Sequence, residues 1–207
     1  MSQKPRPRVA VFAKAPVPGY AKTRLIPKLG AAGAADVQAR FIRQTLTTAC
    51  SIPEFETSLW CAPDVHDPFF LACSEDFKIQ LIEQAGADLG ERMAAAFVAL
   101  ASDTRPLVLV GTDCPALTAQ HLADAHAALQ QGDDAVFIPT EDGGYALIGL
   151  RCNHADLFSA MPWSTSAVMA QTRQRMRTLG LRWNELDTLW DVDEPADHER
   201  WILSFEA

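Results

Sequence analysis

Short apolar runs alternate with longer amphipathic segments along this chain, and that alternation constrains its fold more than any other feature. Residues 8–14 (RVAVFAK) are apolar and β-branched and predict a buried strand. Residues 57–61 predict a second strand. Residues 78–83 (KIQLIE) alternate polar with apolar, which suits an edge. The strongest strand signal is 106–111 (PLVLVG), and 135–139 (AVFIP), 145–150 (YALIGL) and 181–186 follow it. Between them lie helical patterns. Residues 31–50 place Val37, Phe41, Thr45 and Leu46 at helical spacing. Residues 66–74 are weakly helical and 89–101 are alanine-rich. Thr118 is an N-cap for a helix running to about Gln131. Residues 165–179 end at Gly180 as a C′ residue, and Pro195 opens a last helix over 195–205. Strands separated by helices predict βαβ units, right-handed crossovers and a mostly parallel α/β sheet. In such sheets ligands bind outside the carboxyl ends of the strands.

A chain of 207 residues suits one domain, spanning 1–207, with a core that needs no disulfide. Hydrophobic residues make up 48% and charged residues 21%, a globular balance. The net charge of -8 argues against a nucleic-acid binder with a broad basic face, yet one local basic loop is enough for a small nucleotide. Five widely spaced cysteines without a C-x-x-C argue against a zinc site or disulfide framework and for a reducing compartment. The basic start MSQKPRPR precedes no apolar stretch of signal-peptide length, and no window is long enough to span a membrane. The expected location is cytoplasmic.

Four constellations sit where strands end. In FAKAPVPGYAKTRL, Pro16, Pro18 and Gly19 force a non-helical path from which Lys14, Lys22 and Arg24 project. Such a loop either receives phosphate oxygens, for which arginine offers a bidentate fork, or is a solvated basic turn. Asp113 directly follows the strongest strand; it either holds a hard divalent cation or caps the next turn. Glu141 and Asp142 precede Gly143 and Gly144. The acids could orient a sugar hydroxyl or act as a base, with the glycines allowing close approach of a ligand, or the four could form an ordinary hairpin turn. Asp191-Val192-Asp193-Glu194 precedes the last helix, where acids are favoured at an N-terminus; alternatively Asp191 or Asp193 is a second metal ligand beside Asp113. Gly90, at a helix start, could admit a base or ribose, and Trp163, before a probable N-cap at Ser164 or Thr165, could line an acceptor pocket. The five histidines show no metal-binding spacing, and no G-x-S-x-G is present.

Taken in order, FAKAPVPGYAKTRL, DLGERM, GTDCPAL, EDGGYALIGL, PWST and DVDEPADHER resemble a bacterial family of glycosyltransferase-like GT-A proteins, DUF2064, in the nucleotide-diphospho-sugar transferase superfamily. The resemblance runs from about Arg8 to Arg200. More distantly, the first loop and G-x-D-x-P resemble the nucleotidyltransferase branch of that fold, which includes the molybdenum-cofactor and phospholactate guanylyltransferases. The resemblance implies a three-layer α/β/α sandwich that binds a nucleotide at the carboxyl edge of its sheet with Mg²⁺ or Mn²⁺. By position, Lys22 and Arg24 would meet phosphate, Asp113 would hold the metal and Asp193 would be its partner. GT-A glycosyltransferases typically carry D-x-D at this place. Here it is Thr112-Asp113-Cys114, with one acid, which keeps nucleotidyl transfer open.

Three functions are therefore weighed. The first is glycosyl transfer from a nucleotide-diphospho-sugar to a small acceptor, with Glu141 or Asp142 acting on the acceptor hydroxyl. The second is nucleotidyl transfer from an NTP to a phosphorylated small molecule with release of pyrophosphate. The third is a non-catalytic nucleotide-binding module, suggested by the solitary Asp113.

Overall fold

The computed structural model describes residues 6–102 and 105–204. In chain order its main elements are β1 (Arg8–Lys14), α1 (Ile26–Cys50), β2 (Glu56–Ala62), α2 (Pro68–Phe77), β3 (Gln80–Glu83), α3 (Leu89–Leu100), β4 (Leu107–Val110), α4 (Ala119–Gln130), β5 (Ala135–Pro139), β6 (Tyr145–Leu150), α5 (Val168–Leu179), β7 (Trp183–Glu185) and α6 (Pro195–Leu203). The strands form one sheet in the order β3-β2-β1-β4-β6-β5-β7. All pairings are parallel except those of β6, which runs antiparallel to both β4 and β5. The mostly parallel α/β sheet expected from the alternation is thus present, with Gln80–Glu83 at its edge as β3, two residues shorter than expected because Lys78 caps α2 in left-handed backbone.

Side-chain alternation along the strands builds the three layers. From β1, Val9 and Val11 face one side with Leu59, Val108, Val110 and Val136, under Ile42 and Leu46 of α1, Phe70 of α2 and Leu122 and Leu129 of α4. Ala10 and Phe12 face the other side with Trp60, Leu107, Leu109 and Phe137, under Met93 and Phe97 of α3 and Met169 and Met176 of α5. Each face alone is apolar enough to need a cover, so the sheet ends between two helical layers.

Where the structure departs from the sequence reading, the reasons are local. Helix α1 begins at Ile26 rather than at residue 31. Gly30 (φ 72, ψ 168) breaks it, so regular helical periodicity starts only beyond that residue. Helix α5 starts at Val168, because the Thr165 hydroxyl donates to the Pro162 carbonyl (2.8 Å) and holds 162–165 as a turn. The last helix ends at Leu203, and residue 205 lies outside the described residues. Thr118 caps α4 as expected, its hydroxyl accepting from the His121 N–H (3.3 Å) while His121 Nδ1 accepts from the Thr118 N–H (3.1 Å). Among the described residues no helix is long and apolar enough to cross a membrane.

Two features of this topology position the site. Strand order reverses between β1 and β4, whose carboxyl ends therefore flank a crevice. A third apolar cluster joins Leu25, Val37 and Phe41 to Val192 and Trp201. It seats the acidic turn and α6 against the start of α1. The Phe41 and Trp201 rings meet edge to face at 4.8 Å. Trp201→Ala is expected to lower stability by about 3–5 kcal/mol, the usual range for emptying a buried Trp site, read as a lower urea midpoint.

Candidate active site

At the carboxyl edge, around the ends of β1 and β4, the chain forms an open cleft of about 640 Å³. Its lining includes Lys14 at the end of β1, Lys22 and Arg24 from the loop that follows, Arg92 from α3, and the acids Asp113, Asp191 and Asp193.

The first loop is shaped by tight backbone bonds. The Val17 N–H donates to Ala15 (2.8 Å), and the Tyr20 and Ala21 N–H groups donate to the Val17 carbonyl (3.0 and 3.1 Å). Gly19 takes φ +81, and a Cβ there would meet nothing within 4 Å, so the demand for glycine is conformational. The Lys14 ammonium lies 3.9 Å from the centre of the Tyr20 ring, a cation–π contact.

Lys22 is the most enclosed of these cations, its side chain only 4% exposed. Its ammonium stands 2.6 Å from Asp113 Oδ1 and 3.0 Å from Asp193 Oδ1, and donates to the Val192 carbonyl at 2.6 Å. Burial by itself would lower its pKa, but the Asp113 and Asp193 carboxylates outweigh burial and hold it above the ordinary lysine value. The Val192 N–H donates to the Asp113 carbonyl (2.9 Å), tying the turn before α6 to the end of β4. Asp113 and Asp193, far apart in sequence, thus converge. Arg24 is 59% exposed and reaches Asp193 Oδ2 at 3.8 Å and Glu194 Oε1 at 3.5 Å.

Asp191 lines the same cleft. Burial, followed by repulsion from Asp142, Asp193 and Asp113, pushes its carboxyl up to about 6. Asp142 accepts from the Thr140 hydroxyl (2.5 Å) and the Gly144 N–H (2.9 Å), so it holds the β5–β6 turn and bears on Asp191 through its charge. Glu141 faces elsewhere. It forms a two-pronged pair with Arg200 (2.7 and 3.1 Å), whose guanidinium covers Trp190 at 4.4 Å. The hydrogen bonds from Arg200 keep the Glu141 carboxyl below its ordinary value.

The glycines singled out from the sequence meet protein atoms. A Cβ on Gly143 (φ +91) would lie 2.3 Å from the Ser166 carbonyl oxygen, and the Gly143 carbonyl accepts from the first turn of α5 at Met169 (2.8 Å). A Cβ on Gly144 would lie 3.2 Å from the Thr140 hydroxyl. A Cβ on Gly90 would lie 2.7 Å from both the Phe158 carbonyl oxygen and Trp163 Nε1, so Gly90 and Trp163 pack against each other. The cleft itself receives their neighbours, Arg92 and Ser164, the latter in left-handed backbone (φ 63). Sequence reasoning singled out none of Tyr20, Gln84 and Arg92, and read Ser164 only as an N-cap, whereas Ala167 holds that position. Arg92 lies within the quoted DLGERM motif, whereas Gln84 carries no local signal: its amide donates to the Ala13 and Trp60 carbonyls (3.1 and 2.8 Å) across two strand ends.

The residues present suit a hard divalent cation. Asp113, Asp191 and Asp193 supply only oxygen donors, and the buried Asp113 Oδ1 has no aligned hydrogen-bond donor despite its short contact with Lys22. Among the described residues, however, no three acids, histidines or cysteines stand together as a closed metal cage. That pattern suits an ion shared between one or two carboxylates and the phosphates of a ligand.

Comparison with known proteins follows this geometry. The chain overlays on a structure from Desulfovibrio desulfuricans G20, provisionally described as a nucleotide-diphospho-sugar transferase, with 29% identity, 90% of this chain and 82% of that one covered, and a TM-score of 0.79. It shares its fold with CMP:2-keto-3-deoxy-manno-octonic acid synthetase complexed with CTP (12% identity, 98% and 100% covered, TM-score 0.61). It also shares its fold with glucosyl-3-phosphoglycerate synthase from Mycobacterium tuberculosis in complex with Mn²⁺, UDP and glucosyl-3-phosphoglycerate (10% identity, 94% and 75% covered, TM-score 0.55). No curated protein matches the chain. The fold is the GT-A type that these nucleotide-using transferases share. Residues 45–165 match the family described as an uncharacterized protein conserved in bacteria, DUF2064, and the chain belongs to that family.

The raised carboxyl of Asp191 sets a pH dependence. A folded-state pKa near 6 against an ordinary 3.8 means that the ionised form opposes folding, with no penalty below about pH 4 and the full penalty above about pH 6. Asp191→Asn is therefore expected to raise Tm at pH 7.5 and to lose that advantage by pH 4, as thermal melts at the two pH values would read.

Proposed function

We propose that this protein is a metal-dependent transferase that uses a nucleotide-diphospho-sugar donor. The observation that carries the reading is that one cleft at the sheet's carboxyl edge is lined both by the cations Lys14, Lys22, Arg24 and Arg92 and by the carboxylates of Asp113, Asp191 and Asp193. A polyphosphate and a divalent cation are together the ligand that satisfies both sets. The likeness to the Desulfovibrio protein and the shared fold of the Mn²⁺- and UDP-bound synthase support it.

In this reading Lys14, Lys22 and Arg24 bind the diphosphate, and Asp113 and Asp193 would hold Mg²⁺ or Mn²⁺. When bound, such an ion offsets charge on the departing diphosphate. The acceptor hydroxyl forms a bond to the anomeric carbon as the bond from that carbon to the phosphate oxygen breaks, and the nucleoside diphosphate leaves with the electron pair. Asp191, which lines the same cleft, takes the hydroxyl proton. Asp142 supports Asp191 by shaping the turn and raising its basicity through charge. Glu141, bound to Arg200 outside the cleft lining, is left to the β5–β6 turn.

A second reading is nucleotidyl transfer, in which a phosphorylated acceptor attacks the α-phosphorus of an NTP and pyrophosphate leaves. It is favoured by the density of cations on the first loop, more than a diphosphate alone requires. The leaving group separates the two. With Mn²⁺, a panel of nucleotide-sugars or NTPs and small acceptors, release of nucleoside diphosphate is the expected result, and release of pyrophosphate would replace the first reading by the second. Asp113→Asn is expected to slow either reaction about 100-fold or more, the scale of a few kcal/mol of lost charge stabilisation; an unchanged rate would remove the metal from the site.

A further inference from the structure

Lys22 stands apart from the other cations of the cleft. Arg24 is largely in solvent, and the Lys14 ammonium rests on the Tyr20 ring. Lys22 is enclosed, and its ammonium meets three oxygens: it donates to Asp193 Oδ1 and the Val192 carbonyl and stands in ion-pair contact with Asp113 Oδ1. Its backbone holds a left-handed conformation (φ 47, ψ 46) that disfavours a residue bearing a Cβ. The side chain reaches across to two other segments of the cleft, the end of β4 and the turn before α6. In this arrangement Lys22 is already engaged by Asp193 and the Val192 carbonyl, and Asp113 and Asp193 each share an oxygen with an ammonium already in place.

We propose that Lys22 is the resident counter-ion of the empty cleft, competing with a divalent cation for Asp113 and Asp193, so that metal and polyphosphate bind as a coupled pair. The cation takes over the two carboxylates as phosphate oxygens take over the ammonium. The metal alone must displace a buried ammonium from its two carboxylates, and the polyphosphate alone must approach two carboxylates whose counter-ion it would remove. Each ligand supplies what the other displaces, and the coupling is reciprocal. This rests on the reading of Asp113 and Asp193 as metal ligands and adds to it an order of events and a role for Lys22 in the unliganded protein.

The probe is Mn²⁺ alone, with free ion measured by electron paramagnetic resonance. The wild type is expected to bind it weakly, and Lys22→Met and Lys22→Gln are expected to bind it roughly 5- to 100-fold more tightly, the range of ordinary coupling between sites. Equal or weaker binding by both variants, each checked by circular dichroism for its fold, would overturn the proposal. The wild type answers independently through water-proton relaxation. Enhancement by protein-bound Mn²⁺ is expected with inorganic pyrophosphate present and not without it, and equal enhancement in both conditions would overturn the proposal. The metal reading fails separately. If Lys22→Met binds Mn²⁺ tightly and adding Asp113→Asn leaves that binding intact, Asp113 is not a ligand and the proposal falls with it. If the wild type binds Mn²⁺ tightly through Asp113 without pyrophosphate, the metal reading stands and the counter-ion role falls.

Discussion

A buried ammonium between two carboxylates holds the functional edge of this protein together. Lys22 reaches Asp113 at 2.6 Å and Asp193 at 3.0 Å, and the three residues come from the loop after β1, the end of β4 and the turn before α6. Enclosing charge is costly unless it is paired and hydrogen-bonded, and here the ammonium donates to Asp193 and the Val192 carbonyl and pairs with Asp113. Removing either carboxylate would leave the buried ammonium short of compensation, so the three segments keep one another in place.

The scaffold makes that cluster possible by ordinary means. Apolar side chains alternate across the strands, two helical layers cover the two faces, and the reversal of strand order at β1 and β4 leaves a crevice at their carboxyl ends. The C-terminal turn is brought to that crevice by apolar contact, with Val192 and Trp201 buried against Leu25, Val37 and Phe41. Hydrophobic burial carries the acids to the site, and electrostatics then decides their state. Asp113 and Asp193 gain a cation, while Asp191, buried and repelled by its acidic neighbours, is left with a raised carboxyl.

Parts of this site were legible in the sequence for a physical reason. A basic loop after the first strand, an acid after the strongest strand and acids before the last helix all sit at element ends, and a parallel sheet gathers such ends at one edge. Other residues were read into the wrong neighbourhood by the same local logic. Gly90 and Trp163 do make a close approach, but to each other. Gly143 is required by the Ser166 backbone. Glu141 adjoins Asp142 in sequence, yet the two carboxylates part, one to Arg200 and the other to Thr140 and Gly144. A turn reverses side-chain direction between neighbours, and sequence adjacency does not report that. Arg92 went unremarked within a motif whose glycine drew notice, and Ser164 was read only as a helix cap.

The amino-acid sequence by itself determined the alternation of strands and helices, the apolar faces that force a three-layer sheet, and the placing of cations and acids at strand ends. These follow from local periodicity and from the φ/ψ demands of proline and glycine, which act over a few residues. Only the tertiary structure decided which charges meet. Lys22 and Asp193 are 171 residues apart, and their contact depends on β4 pairing beside β1 and on Trp201 finding Phe41. No local pattern encodes that encounter, because a charge responds to whatever the folded chain places within a few ångströms, and at that range the order of strands in the sheet matters more than the order of residues in the chain.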